Sequence, residues 1–308
     1  MSERRVAIVL IVVIGGLVAV GLWRRATAGD TTPGTTTSRL EAGGVERTYL
    51  LDTPGGSAPA AGRPLLILLH GGGGTADSLD KQTGGLPALA NAAGYVVARP
   101  QGINKQWNDG REVNKDVDDV AFISAMVDDI ASHQPIDRSR LYAAGISNGG
   151  FMSGRLACES GLGIAAIAQV AATLGVDTDA ACNPGHPVSV LAILGRADPI
   201  VPYAGGPVRL PWDSSETDRG IVLGGEAYLL RWAQRNGTDA PVAGPSIAPD
   251  AASVIATAPS GAEVELVTVE GGGHAWPGGV QYLPKVIVGS VTDTFSASNL
   301  MLEFFDRH

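Results

Sequence analysis

An α/β fold, with a doubly wound and mainly parallel sheet flanked by helices, is what this 308-residue sequence predicts, and three observations predict it. Short apolar runs recur at residues 47–51, 65–69, 95–98, 141–145, 164–170, 188–194 and 264–269. Most are continuous rather than alternating, as strands buried on both faces require. Between them lie stretches of helical period at 78–93, 117–133, 149–159, 226–236 and 296–306. Strand and helix alternate, which calls for crossover connections and parallel pairing. With 44% hydrophobic residues the chain can bury one large core, so a single domain over residues 39–308 accounts for the pattern.

The helix predicted over 117–133 carries Val120, Ile123, Met126, Val127 and Ile130 on one stripe. Asp116, Asp118 and Asp119 crowd its start, where carboxylates suit the positive end of the helix dipole, so they read as structural. Residues 241–259, rich in Pro and Ala, read as a surface excursion before the last strand. No internal repeat is evident.

The N-terminus stands apart from the fold. Residues 6–23, VAIVLIVVIGGLVAVGLW, carry no charge and are flanked by Arg4, Arg5, Arg24 and Arg25. Such a run is long for a signal peptide and just long enough for an apolar helix to cross a bilayer, while Ala26-Thr27-Ala28 offers a cleavage site. Residues 1–28 are therefore expected to be a signal peptide or a membrane anchor, and the catalytic part to be extracytoplasmic, secreted or anchored through residues 6–23. Residues 29–38, with DTTPGTTTS at 30–38, are expected to form a flexible tether, because Thr, Gly and Pro bury little apolar surface.

The net charge is -9, and removal of residues 1–28 would delete four Arg and one Glu to leave -12. No basic cluster interleaved with aromatics is present, which argues against nucleic acid as a partner. The two cysteines, Cys158 and Cys182, give no metal site and, in an exported chain, are expected to form one disulfide. Neither a metal nor another cofactor is called for, and oligomeric state is not legible.

The chemistry centres on Gly145-Ile146-Ser147-Asn148-Gly149, a G-x-S-x-G between the apolar run LYAAG and a predicted helix. That context presents a nucleophile: a sharp strand-to-helix turn strains the serine backbone and projects its hydroxyl. A serine needs an adjacent base, and the chain has five His. His274 follows the strand at 264–269 through three glycines, at the carboxyl edge of the sheet. His186 precedes its strand and belongs at the opposite edge, His133 ends a helix, and His308 is terminal. Asp198, just after the strand at 188–194, falls between Ser147 and His274 in chain order and can orient the imidazole. Asp213 and Asp218 are weaker candidates because no strong strand precedes them.

Acyl transfer also needs donors for a developing oxyanion. His70-Gly71-Gly72-Gly73-Gly74 follows the strand LLILL, so Gly71 or Gly72 is expected to supply one N–H and Asn148 the other. A nucleotide-binding loop is disfavoured, since no G-x-x-x-x-G-K-[ST] is present.

With these residues in place, the chain resembles the secreted esterases that include poly(3-hydroxybutyrate) depolymerases, feruloyl esterases and acetylxylan esterases of the α/β-hydrolase superfamily. The resemblance runs from about residue 47 to 305 and rests on six ordered motifs: LLHGGGG at 68–74, PQG at 100–102 with Trp107-Asn108, VDDVAF at 117–122, AAGISNGGFMS at 143–153, ADPIVPYAGG at 197–206 and GGGHAWPGG at 271–279. It implies a triad of Ser147, His274 and Asp198 and a Cys158–Cys182 bridge. Leu194-Gly195-Arg196 departs from the His-Gly-Thr that often precedes the acid in such relatives. No polymer-adsorbing domain follows His308, so soluble esters or short oligomers are the expected substrates. Some of Trp107, Tyr203 and Trp276, aromatic residues within these motifs, are expected to line an apolar acyl or aryl cleft near Ser147, with core packing as the alternative. A noncatalytic ligand binder and a serine peptidase are the rival readings of the same residues.

Overall fold

A computed structural model of the chain describes residues 34–211 and 219–308. The strands are β1 (Gly34–Ala42), β2 (Val45–Thr53), β3 (Arg63–Leu69), β4 (Val96–Pro100), β5 (Ile136–Ile146), β6 (Ala166–Val170), β7 (Ser189–Gly195), β8 (Gly205–Pro207), β9 (Ile221–Leu223), β10 (Val242–Ala248), β11 (Ala251–Thr257) and β12 (Glu263–Val269). The helices are α1 (Ser78–Gln82), α2 (Leu86–Ala92), α3 (Asp119–His133), α4 (Asn148–Glu159), α5 (Val176–Ala181), α6 (Gly225–Asn236), α7 (Lys285–Val288) and α8 (Ala297–Phe305).

One ten-stranded sheet runs in the order β1-β2-β4-β3-β5-β6-β7-β12-β11-β10, and β8 and β9 form a separate pair. From β4 to β12 every neighbouring pair is parallel, and antiparallel strands extend both edges. The continuous apolar runs are explained by double coverage. In β3, Leu65, Ile67 and Leu69 join the cluster that includes Phe122, Met152 and Trp232 from α3, α4 and α6. Leu66 and Leu68 point the other way, into the cluster with Ala90 of α2 and Phe304 and Phe305 of α8. Strand alternation thus feeds two cores from one sequence.

Three expectations are corrected. Gly34–Ser38, assigned to the tether, begins β1, which pairs with β2 from Gly34 opposite Thr53 to Ala42 opposite Val45. An edge strand needs only backbone pairing on one side, and β-branched Thr suits it. The excursion at 241–259 is instead β10 and β11, continuing the sheet from β12. The single helix at 78–93 is two, because Gly84 and Gly85 take φ of 66° and 87° between α1 and α2. Residues 1–33, including the proposed signal or anchor, lie outside the described residues. No helix among the described residues is long and apolar enough to cross a membrane.

Cys158 of α4 and Cys182, just after α5, form a disulfide. Closing that loop restricts the unfolded chain and contributes about 3 kcal/mol on the loop-entropy account. It ties the end of the helix behind Ser147 to the next crossover.

Candidate active site

Parallel strands deliver their following loops to one edge, and register makes those loops level. Leu69 of β3 lies opposite Gly145 of β5, and Gly195 of β7 lies opposite Val269 of β12. His70–Gly74, Ser147, Asp198 and His274 therefore emerge together at the carboxyl edge, where open α/β sheets bind ligands.

Ser147 has φ 54° and ψ −124°, a left-handed conformation rare for a residue with a Cβ. The turn is held by a close approach: a Cβ on Gly149 would lie 2.3 Å from the Leu69 carbonyl oxygen and 2.5 Å from that of His70. Only glycine allows α4 to start so near the end of β3. As the first residue of α4, Asn148 has an N–H with no carbonyl one turn earlier to bond.

His274 Nδ1 donates to Asp198 Oδ2 at 2.7 Å, and both side chains are nearly inaccessible. The other carboxylate oxygen of Asp198 accepts from the N–H groups of Ile200 and Val201, at 2.8 and 2.9 Å. These bonds leave Oδ2 aimed at the imidazole. The two loops meet because Gly195 has no side chain: a Cβ there would lie 2.3 Å from the Gly272 carbonyl oxygen, which accepts from Ala197 N–H at 2.9 Å. Tyr282 donates its hydroxyl to the His274 carbonyl at 3.1 Å, a contact that no sequence motif announced.

The glycine loop is fastened from beneath. His70 is fully buried; its Nε2 accepts from Gly102 N–H at 3.0 Å and its Nδ1 donates to the Gly71 carbonyl at 2.8 Å. Burial, partly opposed by the Gly71 bond, lowers its pKa to about 4. Trp107 Nε1 donates to the His70 carbonyl at 2.9 Å, and the two rings lie 4.8 Å apart. A Cβ on Gly71 would come within 3.7 Å of Ser147 Cβ, so this loop borders the serine directly.

The Asn148 side chain is fixed as well. Its Oδ1 accepts from Trp107 N–H at 2.7 Å, while Nδ2 donates to the Trp107 carbonyl at 3.0 Å and to Asp109 Oδ2 at 2.6 Å. Asp109 is paired with Arg111, whose guanidinium sits 3.8 Å from the Phe151 ring centroid. Asp109 and Arg111 were missed in the sequence, although they directly follow the Trp107-Asn108 motif. Asp118 caps α3 by accepting from Ala121 N–H, as its place in the first turn suggested. Asp119 is buried against Arg47 at 2.6 Å and accepts from Asn108 N–H at 2.7 Å, anchoring the same segment. Its carboxyl is pushed up by burial and drawn back by these partners.

Ser147, Asn148, His274 and the glycines at 71–74 line a cleft of about 900 Å³ with Val113, Ile200, Val208, Leu210, Val280, Tyr282 and Leu283. The three aromatic candidates do not line it. Trp107 is buried under the glycine loop, and Trp276 is buried with Nε1 donating to Ser298 Oγ. Tyr203 hydrogen-bonds Glu226 and Thr268 through its hydroxyl. Each indole N–H finds its acceptor inside the protein, which draws the ring away from the cleft. The cleft wall mixes its aliphatic side chains with polar and basic ones, Gln106, Lys81, Arg111 and Arg219 among them. Among the described residues no group of three His, Cys, Asp or Glu side chains is placed to hold a metal ion.

His70 yields a prediction with a definite sign. Its folded pKa, about 4, lies below the ordinary 6.5, so the unfolded chain takes up the proton first. The stability it contributes is complete above pH 6.5 and is lost as pH falls toward 4, by about 3 kcal/mol at most. Denaturant titrations at pH 7 and pH 4.5 should show this loss in the native chain and a smaller one in His70→Gln. Equal losses would remove His70 from the account.

The doubly wound sheet, the turn at Ser147 and the loops gathered at its carboxyl edge define an α/β hydrolase. The comparisons agree. The chain is 34% identical over 286 residues to "Putative esterase NocK" of Nocardia uniformis subsp. tsuyamanensis, covering 88% of this chain and 82% of that one. It is 30% identical over 236 residues to feruloyl esterase B of Piromyces equi, covering 74% of this chain and 42% of that enzyme. A crystal structure of a thermostable esterase superposes with a TM-score of 0.55 at 15% identity, over 88% of this chain and 62% of its own, and shows the shared fold. No model of a known family matches the sequence. The chain belongs to the esterase family that these relatives represent and is a carboxylic ester hydrolase.

Proposed function

We propose that the chain hydrolyses esters through an acyl-enzyme on Ser147, with His274 as general base and Asp198 orienting it. The observation that carries this reading is the pairing, within one cleft, of a strained Ser147 at the strand-to-helix turn with an imidazole bonded to Asp198 at 2.7 Å. With Nδ1 committed to Asp198, Nε2 of His274 is the basic nitrogen. It takes the Ser147 proton as Oγ attacks the ester carbonyl, and the carbonyl π pair moves to oxygen. The N–H of Asn148 and that of Gly71 or Gly72 stabilise the oxyanion. His274 then protonates the departing alcohol, and water activated by the same imidazole releases the acid. No cofactor enters this sequence.

The substrates are short-chain esters, hydroxyalkanoate oligomers or hydroxycinnamoyl and acetyl esters. Several relatives named as feruloyl esterases support the hydroxycinnamoyl class, and the aliphatic side chains in the cleft, Val113, Ile200 and Leu210 among them, support short acyl chains. The Cys158–Cys182 bridge supports export to an oxidising compartment. A panel of acetyl, feruloyl and 3-hydroxybutyrate esters, read as kcat/KM for the native chain and for Ser147→Ala, tests the proposal. Turnover of at least one class, abolished in the variant, is expected; wild-type turnover by Ser147→Ala would exclude it.

A further inference from the structure

The cleft has a charge pattern that ester hydrolysis alone does not require. In a chain of net charge -9, the described residues lining it include Lys81, Arg111 and Arg219 and no carboxylate. Arg111 is paired with Asp109 at 2.5 Å and Arg219 also has an interaction partner, whereas Lys81 forms no ion pair among the described residues. Asp77 and Asp80 are exposed on the same turn of α1 and lie within the screening length of about 8 Å, so they weaken the field of Lys81, but neither lines the cleft, whereas Lys81 does.

The location of Lys81 follows from the turn it stands on. The glycine loop runs straight into α1, where Ser78 Oγ would lie 3.4 Å from a Cβ on Gly74. Lys81 is three residues beyond Ser78 and so shares its side of the helix. The next residue, Gln82, presents its carbonyl oxygen 2.2 Å from where a Cβ on Gly279 would be, which seats α1 against the loop following His274. Lys81 therefore stands where the glycine loop and the His274 loop converge, with its side chain exposed to the cleft mouth.

We infer that Lys81 selects esters carrying an anionic group, such as the free carboxylate of a hydroxy-acid oligomer or of a half-ester. The inference rests on the cleft being the ester-hydrolysing site. Lys81 is a specificity residue in this account: it pairs with a charge remote from the scissile bond and moves no proton. A pair exposed in this way changes preference modestly, about two- to fivefold per charge removed.

The test compares 4-acetoxybenzoate with 4-acetoxybenzamide, two acetyl esters of similar shape that differ in the charge of the alcohol portion. The readout is the ratio of their kcat/KM values, taken for the native chain, Lys81→Gln and Lys81→Glu. Lys81→Gln should lower the anion-to-neutral ratio about two- to fivefold and Lys81→Glu further, with the benzamide ester changed by less than about twofold. Raising sodium chloride should shrink the ratio in the native chain and leave it nearly flat in Lys81→Gln. A ratio unchanged in Lys81→Glu, with both esters still hydrolysed, would overturn the inference and leave the proposed function standing. Failure of the native chain to hydrolyse any ester in the panel would instead remove the proposed function.

Discussion

Asp198→Asn is expected to lower kcat for 4-nitrophenyl acetate by about 10⁴-fold while the protein remains folded. The structure explains why so small a change acts so strongly. Oδ1 of Asp198 accepts from two backbone N–H groups, and an asparagine in the same pose keeps its carbonyl oxygen there. The amide nitrogen then faces His274 Nδ1, and two donors cannot pair. The imidazole relieves the conflict by carrying its proton on Nε2, the nitrogen proposed to accept the proton of Ser147. Circular dichroism and a denaturation midpoint near the native one should accompany the loss. A kcat within tenfold of the native value would show that Asp198 does not set the tautomer.

Gly149→Ala is expected to damage stability and activity together. Its Cβ would lie 2.3 and 2.5 Å from two carbonyl oxygens at the end of β3, closer than van der Waals contact allows, and backbone cannot step aside as a flexible side chain can. Overpacking of this kind costs about 1–3 kcal/mol and occasionally more. Because the displaced backbone belongs to the serine turn and the glycine loop, the protein that still folds should lose at least about 100-fold in kcat/KM, comparable to losing one oxyanion donor. Denaturant titration and kinetics normalised to labelled active sites would check both effects. Native stability with native activity would contradict the close packing described for this turn.

The parts of the molecule legible in the sequence were those in which one residue type has one physical use. Buried strands read as apolar runs because both faces are covered, and Ser147, Asp198 and His274 were expected at one edge from strand polarity together with the G-x-S-x-G motif and their chain order. Side-chain direction was not legible. Trp107 and Trp276 belong to the motifs nearest the cleft, yet each indole points inward to an acceptor, one to the His70 carbonyl and one to Ser298. Nor does composition reveal an edge strand such as β1, where Thr residues contribute backbone pairing without burial, or the β10–β11 extension, where Ala, Gly and Pro give no clear alternation. The residues that hold Asn148, namely Asp109 and Arg111, were missed for a related reason. A buried ion pair between neighbours in sequence looks like any exposed one until the chain folds over it.

The central claim is that Ser147 is an activated nucleophile in this cleft. Treatment of the folded protein with a fluorophosphonate probe, followed by peptide mapping, tests it most directly. The account predicts a single adduct on Ser147 that is lost in Ser147→Ala and strongly slowed in His274→Ala. An absence of adduct on folded, native protein, or an adduct on another serine, would contradict it.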